Sequence, residues 1–173
     1  PFKTVYAEGA CAFILETMES AQKRNAEVFG SILSFASYEE PGDFCGANLD
    51  SEGFEIAVND ALAKAKTSDS EIDLLVWSPR GDAQDEKILN VWRSRFPSAG
   101  IVTNVFNTGY IESASTISAL AEVLFCLKKG IPIWRQKTGI AEIDNFPLPK
   151  SPKKILCAAS SHVGNNFAAV FAV

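Results

Sequence analysis

The stretch Thr108–Gly130, TGYIESASTISALAEVLFCLKKG, decides how this chain reads. Its spacing predicts one long helix. Ile117, Leu120, Val123, Leu124 and Leu127 recur at helical intervals and form an apolar stripe. Lys128 and Lys129 suit a helix C-terminus, where the backbone dipole favours cations, and Gly130 supplies the left-handed residue that ends a helix. The opposite side carries Ser113, Ser115, Thr116, Ser118, Ala119, Ala121 and Cys126, where a surface helix would carry charge. A helix that is apolar or small all round is buried on every side. Small side chains also let a second backbone come close. The stretch therefore predicts a helix held between two sheets.

Upstream of it, strands and helices alternate. Gly100–Phe106 reads as a strand that ends in the polar loop Asn107–Gly109. Ala83–Phe96 reads as a helix with Ile88, Leu89, Val91 and Trp92 inward. Ile72–Trp77 is a strand ending in the loop Ser78–Asp82. Glu52–Lys66 places Phe54, Ala57, Val58, Ala61, Leu62 and Ala65 on one helical face, with Ser51 as its cap. Tyr38–Ser51 is a loop around the turn signal Pro41-Gly42-Asp43. Ala26–Ser37 alternates as a strand, Met18–Asn25 is a short surface helix, and the apolar run Ala7–Thr17 predicts a buried strand.

Downstream, Ile131–Trp134 and Ile143–Lys154 form a long irregular connection. Ile155–Ser160 and Asn166–Val173 are two strands joined by the short turn Ser161–Asn165, which predicts a hairpin. The succession implies an α/β domain with a mixed, mostly parallel five-stranded sheet, covered on both faces. Ligands of such sheets collect beyond the carboxyl ends of the strands. In this chain those ends carry Ser78–Asp82 and Asn107–Gly109.

The totals narrow the function classes. With 173 residues, the chain is one domain or half of a larger body. A net charge of −5, with no basic tract beyond Lys128–Lys129 and Lys150–Lys154, argues against a nucleic-acid partner. No apolar run reaches the roughly eighteen residues that a membrane span needs. Cys11, Cys45, Cys126 and Cys157 have no metal-type spacing and predict no metal site; they read as free thiols of a reducing, cytoplasmic setting. No cofactor-binding motif is present. The chain starts at Pro1 without a methionine and reads as a piece of a longer product.

Residue chemistry at the two loops is sparse. His162 is the single histidine, so a histidine-assisted nucleophile has one possible base. Asp82, Asp85 and Glu86 offer carboxylates for acid–base work, but they equally suit the N-terminus of the helix they begin.

The order of segments resembles one enzyme family. AEGACAFILETMESAQKRNAEVFGSI is similar to the GEGA…LVLE…A..RGA..YAEI run of β-ketoacyl-acyl-carrier-protein synthases, the condensing enzymes of fatty-acid and polyketide synthesis. Phe54–Asp82 resembles their amphipathic helix, strand and His-Gly-Thr-Ser-Thr loop. The helix of Thr108–Gly130 resembles the small-residue helix after their Lys-x-x-x-Gly-His motif. ILCAASSHVGNNFAAVFAV resembles their closing hairpin around a Gly-Phe-Gly-Gly-Thr-Asn turn.

The resemblance implies a thiolase-like fold of two similar halves in five alternating layers. Residues 1–173 would be the C-terminal half, opening with the last strand of the first half. It also implies where the family's chemistry falls. The first family histidine lies on Ser78, the lysine near Asn104, and the second histidine near Gly109, or Asn107 with the loop shifted. The turn phenylalanine lies on His162 and the asparagine on Asn166. In the family the histidines stabilise the enolate and oxyanion as malonyl-carrier protein loses carbon dioxide. The nucleophilic cysteine belongs to the other half. What the resemblance implies is therefore a degenerate, non-catalytic subunit of the chain-length-factor type. Its expected partners are acyl carrier protein and either a ketosynthase or its own N-terminal half, in a homo- or hetero-oligomer. Two alternatives stand beside it: the C-terminal portion of a 3-oxoacyl-acyl-carrier-protein synthase, active with its other half, and a non-enzymatic scaffold that reuses the fold.

Overall fold

A computed structural model describes residues 5–40, 51–161 and 163–173. Five strands form one mixed sheet: β1 (Ser31–Glu39), β2 (Leu74–Val76), β3 (Gly100–Val102), β4 (Lys154–Ser160) and β5 (Asn165–Ala172). Their order across the sheet is β1-β5-β4-β2-β3. β2 pairs in parallel with both β3 and β4, while β5 pairs antiparallel with β4 and β1. Four strands thus run one way and β5 alone runs against them.

Helices cover both faces. On one, α2 (Glu52–Ala65) and α3 (Ala83–Arg95) bury Phe54, Val58, Leu62, Ile88 and Trp92 against Leu75, Trp77, Leu156 and Val170. Phe54, Trp92 and Phe96 meet edge to face, with ring centroids 5.0 and 5.5 Å apart. On the other, α5 (Ser115–Lys129) sets Leu120, Val123 and Leu124 on Leu74, Val76, Ile155 and Cys157. Strand residues alternate strictly between the two clusters, as a pleated sheet requires.

Local signals explain the helix ends. Asp82 caps α3 by accepting from Gln84 N at 2.9 Å, and Asp85 completes the reciprocal capping box. Gly130 ends α5 in the left-handed conformation. Ser51 does not cap α2; its hydroxyl instead donates to Glu55 Oε1 at 2.9 Å, and Lys66 closes the helix at φ 50°. The short helices α1 (Met18–Lys23), α4 (Val105–Thr108) and α6 (Ala141–Asp144) complete the chain.

Sequence expectations are corrected at several points. Residues 7–17 form no strand: the N-terminal segment makes one bridge, Tyr6 to Tyr110, and then runs unpaired with Ile14 86% and Leu15 70% exposed. An apolar run becomes a strand only beside another strand, and both sheet edges, β1 and β3, lie elsewhere. The strand starting at Gly100 stops at Val102, because Val105–Phe106 turn into α4. The helix expected over Thr108–Gly130 starts at Ser115, after a single 3-10 turn at Glu112–Ala114. Gly109 sits ahead of it at φ 80°, and a Cβ there would come 2.7 Å from the Ala7 Cβ and 2.9 Å from Val5 O. That close approach lets Ala7 N donate to Tyr110 O and Tyr110 N donate to Val5 O. Among the described residues there is one sheet, so α5 is covered on one side; Phe125 on its outer side is 49% exposed. The turn signal at residues 41–43, Cys45 and His162 lie outside the described residues.

Candidate functional site

Because β2, β3 and β4 are parallel and in register, the segments that follow them leave the same end of the sheet. Val76 pairs with both Val102 and Cys157, and Trp77 N extends the ladder to Val102 O at 3.2 Å. Ser78 and Asn104 are each two residues past that rung. The two loops singled out by the sequence therefore share one end, and the loop between β4 and β5 joins them there.

The loop after β2 is knotted around two buried side chains. The Asp85 carboxylate lies beneath it and accepts three backbone N–H groups: Arg80 at 3.1 Å, Gly81 at 2.6 Å and Asp82 at 3.2 Å. Burial nevertheless pushes its pKa up to about 6, against the pull of the donated N–H groups. Above it the Arg80 guanidinium pairs with Asp82 Oδ2 at 2.8 Å, donates to Gln84 Oε1, and reaches Ser160 O at 3.4 Å. Ser160 Oγ closes the ring on Gln84 Oε1 at 3.4 Å. Arg80 and Asp85 both act electrostatically on Tyr110, whose phenol burial holds at about 12. Tyr110, adjacent to Gly109, is the aromatic group that the third strand's loop brings to this end.

The loop after β3 is built differently. Asn104 donates through Nδ2 to Ser118 Oγ at 2.9 Å, and Ser118 in turn donates to Ser115 O at 2.8 Å. That chain ties the loop to the first turn of α5, where Ser115 Oγ accepts from Ile111 N at 2.8 Å. Asn104 Oδ1 and Ser78 Oγ are both shut from solvent, and neither has a hydrogen-bond partner among the described residues. The residues themselves are 5% and 6% exposed.

The remaining expected positions separate. Asn107 is exposed on α4, and Gly109 packs against the N-terminal segment. Asn166 is buried on the α2 side of the sheet, donating to Glu40 Oε1 at 3.0 Å and Gly164 O at 3.1 Å. Ser78 and Asn104 thus follow adjacent strands at one end of the sheet, while Asn107 is exposed and Asn166 is bonded to Glu40 and Gly164. The knot of Arg80, Gln84, Asp85, Tyr110 and Ser160 was missed as a unit. Its sequence signal was Asp85 alone, read as a helix-end acid, because partners some eighty positions away leave no local pattern.

Other reactive groups are quiet. Burial pushes the Cys157 thiol up to about 12 and raises Cys126 as well, so neither is a ready nucleophile. No cluster of histidine, cysteine or carboxylate suited to a metal ion occurs among the described residues. No described helix is long and apolar enough to cross a membrane. A cleft of about 360 Å³ lies by Arg135, Phe146 and Leu148, and one of about 430 Å³ by Phe29, Leu127 and Val173.

Comparison with known proteins returns no matching family model and no matching curated sequence. Solved structures do match. The ishigamide ketosynthase/chain length factor superimposes with a TM-score of 0.73 at 17% identity, over 91% of this chain and 41% of that one. A β-ketoacyl synthase from Burkholderia phymatum gives 0.71 at 16% identity, over 91% and 40%. The complex AntDE:AntF, a type II PKS acyl-carrier protein with its ketosynthase bound to the hexaketide, gives 0.68 at 17%, over 91% and 42%. The chain spans about two fifths of the length of these structures. With one mixed sheet between helices and β5 reversed, its fold is the thiolase-like α/β fold of the β-ketoacyl synthase structures.

Proposed function

We propose that this chain is the C-terminal half of a ketosynthase-like protein that acts in fatty-acid or polyketide synthesis without performing the condensation, in the manner of a chain-length factor. One observation carries the reading. The shared strand end has kept the fold's geometry, but the positions that resemble the family's histidines and lysine hold Ser78, Asn104, Asn107 and Gly109. None of these can be cationic. Removing one such donor from an oxyanion site typically costs about 10² to 10³ in rate. The solved neighbours include a ketosynthase/chain length factor and a carrier protein bound to its ketosynthase, which supports the same class of partners here.

The uncovered apolar surface supports a partner too. Ile14 and Leu15 on the N-terminal segment, Leu33 and Phe35 on β1, and Phe125 on α5 are all exposed. Exposed apolar surface of this kind marks association. The occupant in this reading is an N-terminal ketosynthase-like half, from the same protein or from a partner ketosynthase, in a cytoplasmic assembly.

The test is reconstitution. The chain and a ketosynthase partner are assayed together and apart with acyl- and malonyl-carrier protein. The expected result is co-purification with the partner and carrier protein, and no condensation by this chain alone. Condensation by the isolated chain overturns the reading. Capture of neither partner overturns it in favour of a scaffold role.

A further inference from the structure

The outer edge of β3 is covered by the long connection that follows α5, and two arginines meet there. β3 ends the sheet, so one of its sides has no neighbouring strand. Arg135 serves that side: its guanidinium donates to Ile101 O at 2.9 Å and to Phe146 O at 2.7 Å. From α3, Arg93 donates to Ala99 O at 3.2 Å and lies over the Phe146 ring, 3.6 Å from its centroid. Neither guanidinium has a carboxylate within ion-pair distance among the described residues. Burial, and then the charge of Arg135, bring the Arg93 pKa down to about 10. Charges withdrawn from water are normally paired, so these two leave a positive field that no contact cancels. Two carboxylates act on them from a distance. Glu142 is exposed on α6, and Asp144 is turned to Thr138 and Gly139, accepting from their backbone N–H groups at 3.0 and 2.9 Å.

The cleft of about 360 Å³ opens on this cluster, within the roughly 300–1,000 Å³ range of small-molecule sites. Arg135 and Phe146 line it, together with Trp134 and Lys137. Trp134 is 54% exposed, and Lys137 is exposed with no ion pair among the described residues. We propose that this cleft binds a small organic phosphate that carries a flat ring, such as a nucleoside monophosphate, with Arg135 and Lys137 holding the phosphate and Trp134 and Phe146 receiving the ring. A phosphate monoester carries close to two negative charges at neutral pH and matches Arg135 and Lys137 together, whereas a carboxylate answers only one of them. Arg135 has five N–H groups and spends two on carbonyl oxygens, so donors remain for a ligand. The exposed indole offers a face on which a flat ring stacks. The surrounding chain has the right sign as well. Residues 128–154 hold seven basic and two acidic residues in a protein whose net charge is −5, a contrast that draws anions to this edge. The site is remote from the loops already described. A Cβ on Gly100, the first residue of β3, would come 3.0 Å from Pro147 O, so the connection crosses the strand at the opposite end from Asn104. The inference therefore goes beyond the ketosynthase-like reading and does not depend on it.

Four probes separate the contributions: AMP has ring and phosphate, adenosine the ring alone, inorganic phosphate the anion alone, and benzoate a ring with a carboxylate. Each is titrated into the isotope-labelled 173-residue chain, and the Trp134 indole N–H and Gln136 backbone N–H signals are followed by NMR. AMP is expected to shift both saturably, to leave the buried Trp77 and Trp92 indoles unmoved, and to bind at least tenfold more tightly than any other probe. Lys137→Glu is expected to weaken AMP at least tenfold, and Trp134→Ala about tenfold, the effect of losing one stacked ring. Both side chains are exposed, so neither variant takes packing from the core. Adenosine, phosphate or benzoate binding as tightly as AMP overturns the inference. So does the lack of a saturable shift, or an AMP affinity unchanged in either variant.

Discussion

The loops after β2 and β3 leave the same end of one sheet and have opposite characters. The first is closed on itself: Asp85 takes three backbone N–H groups, and Arg80 is bonded to Asp82, Gln84 and Ser160. The second is tied to α5 through Asn104 Nδ2 and Ser118, and leaves the buried Asn104 Oδ1 unpartnered; at the root of the first, ahead of its closed part, Ser78 Oγ is unpartnered as well. Satisfied polar networks fix a backbone, whereas an unpaired buried polar group costs stability. The difference separates a loop locked by its own bonds from one that keeps a buried acceptor open.

The largest effect that tests this contrast is the loss of Asp85. Asp85→Ala strands three half-buried backbone donors at once, and unfolding in urea is expected to show a loss of about 3 kcal/mol. Asn104→Ala gives up one bond to Ser118 and removes an unpaired oxygen with it, so its cost is expected near 1 kcal/mol or below. Equal losses at the two positions would erase the distinction between the loops.

A second test is the pH profile. The Asp85 pKa stands at about 6 in the folded chain against an ordinary 3.8, raised chiefly by burial. A raised folded pKa means that the native state binds the proton more tightly than the unfolded state. The corresponding stability is fully present below about pH 4 and is lost as pH rises through 6. The shift corresponds to roughly 3 kcal/mol across that window. Asp85→Asn, which keeps an acceptor and cannot titrate, is expected to flatten the profile between pH 4 and 6. A wild-type profile already flat there would show that the three N–H groups outweigh burial.

These residues also mark how far the sequence could be read. Helices α2 and α3 and the β4–β5 hairpin were legible, because helical spacing, the Asp82 cap and a short turn are local signals. The parallel register that puts both loops at one end followed from strands alternating with helices. Residues 7–17 were misread because apolar composition reports a preference for burial but cannot supply a neighbouring strand. The end of β3 was misread for a related reason: Val105 and Phe106 continue its apolar character, while the bonds from Asn107 and Thr108 N to Asn104 O curl them into a turn. Of the site, Ser78 and Asn104 were reached through resemblance. The Arg80 knot was not, since Ser160 is distant in sequence and nothing in SPRGD distinguishes a tethered guanidinium from a solvated one.

The smallest expected effect is the most pointed. Ser78→Ala removes a buried hydroxyl that has no protein partner, so it forfeits no bond in the folded chain. Its replacement by a methyl group is expected to raise stability by about 0.5–1 kcal/mol, as deletion of an unsatisfied polar group does. Most substitutions at a buried position destabilise, so the sign alone is informative. A gain of stability is the pattern of a polar group kept against the interest of the fold. A Ser78→Ala chain that is less stable than wild type would instead mean that the hydroxyl belongs to the packing, and Ser78 would then be no different from the bonded rest of its loop.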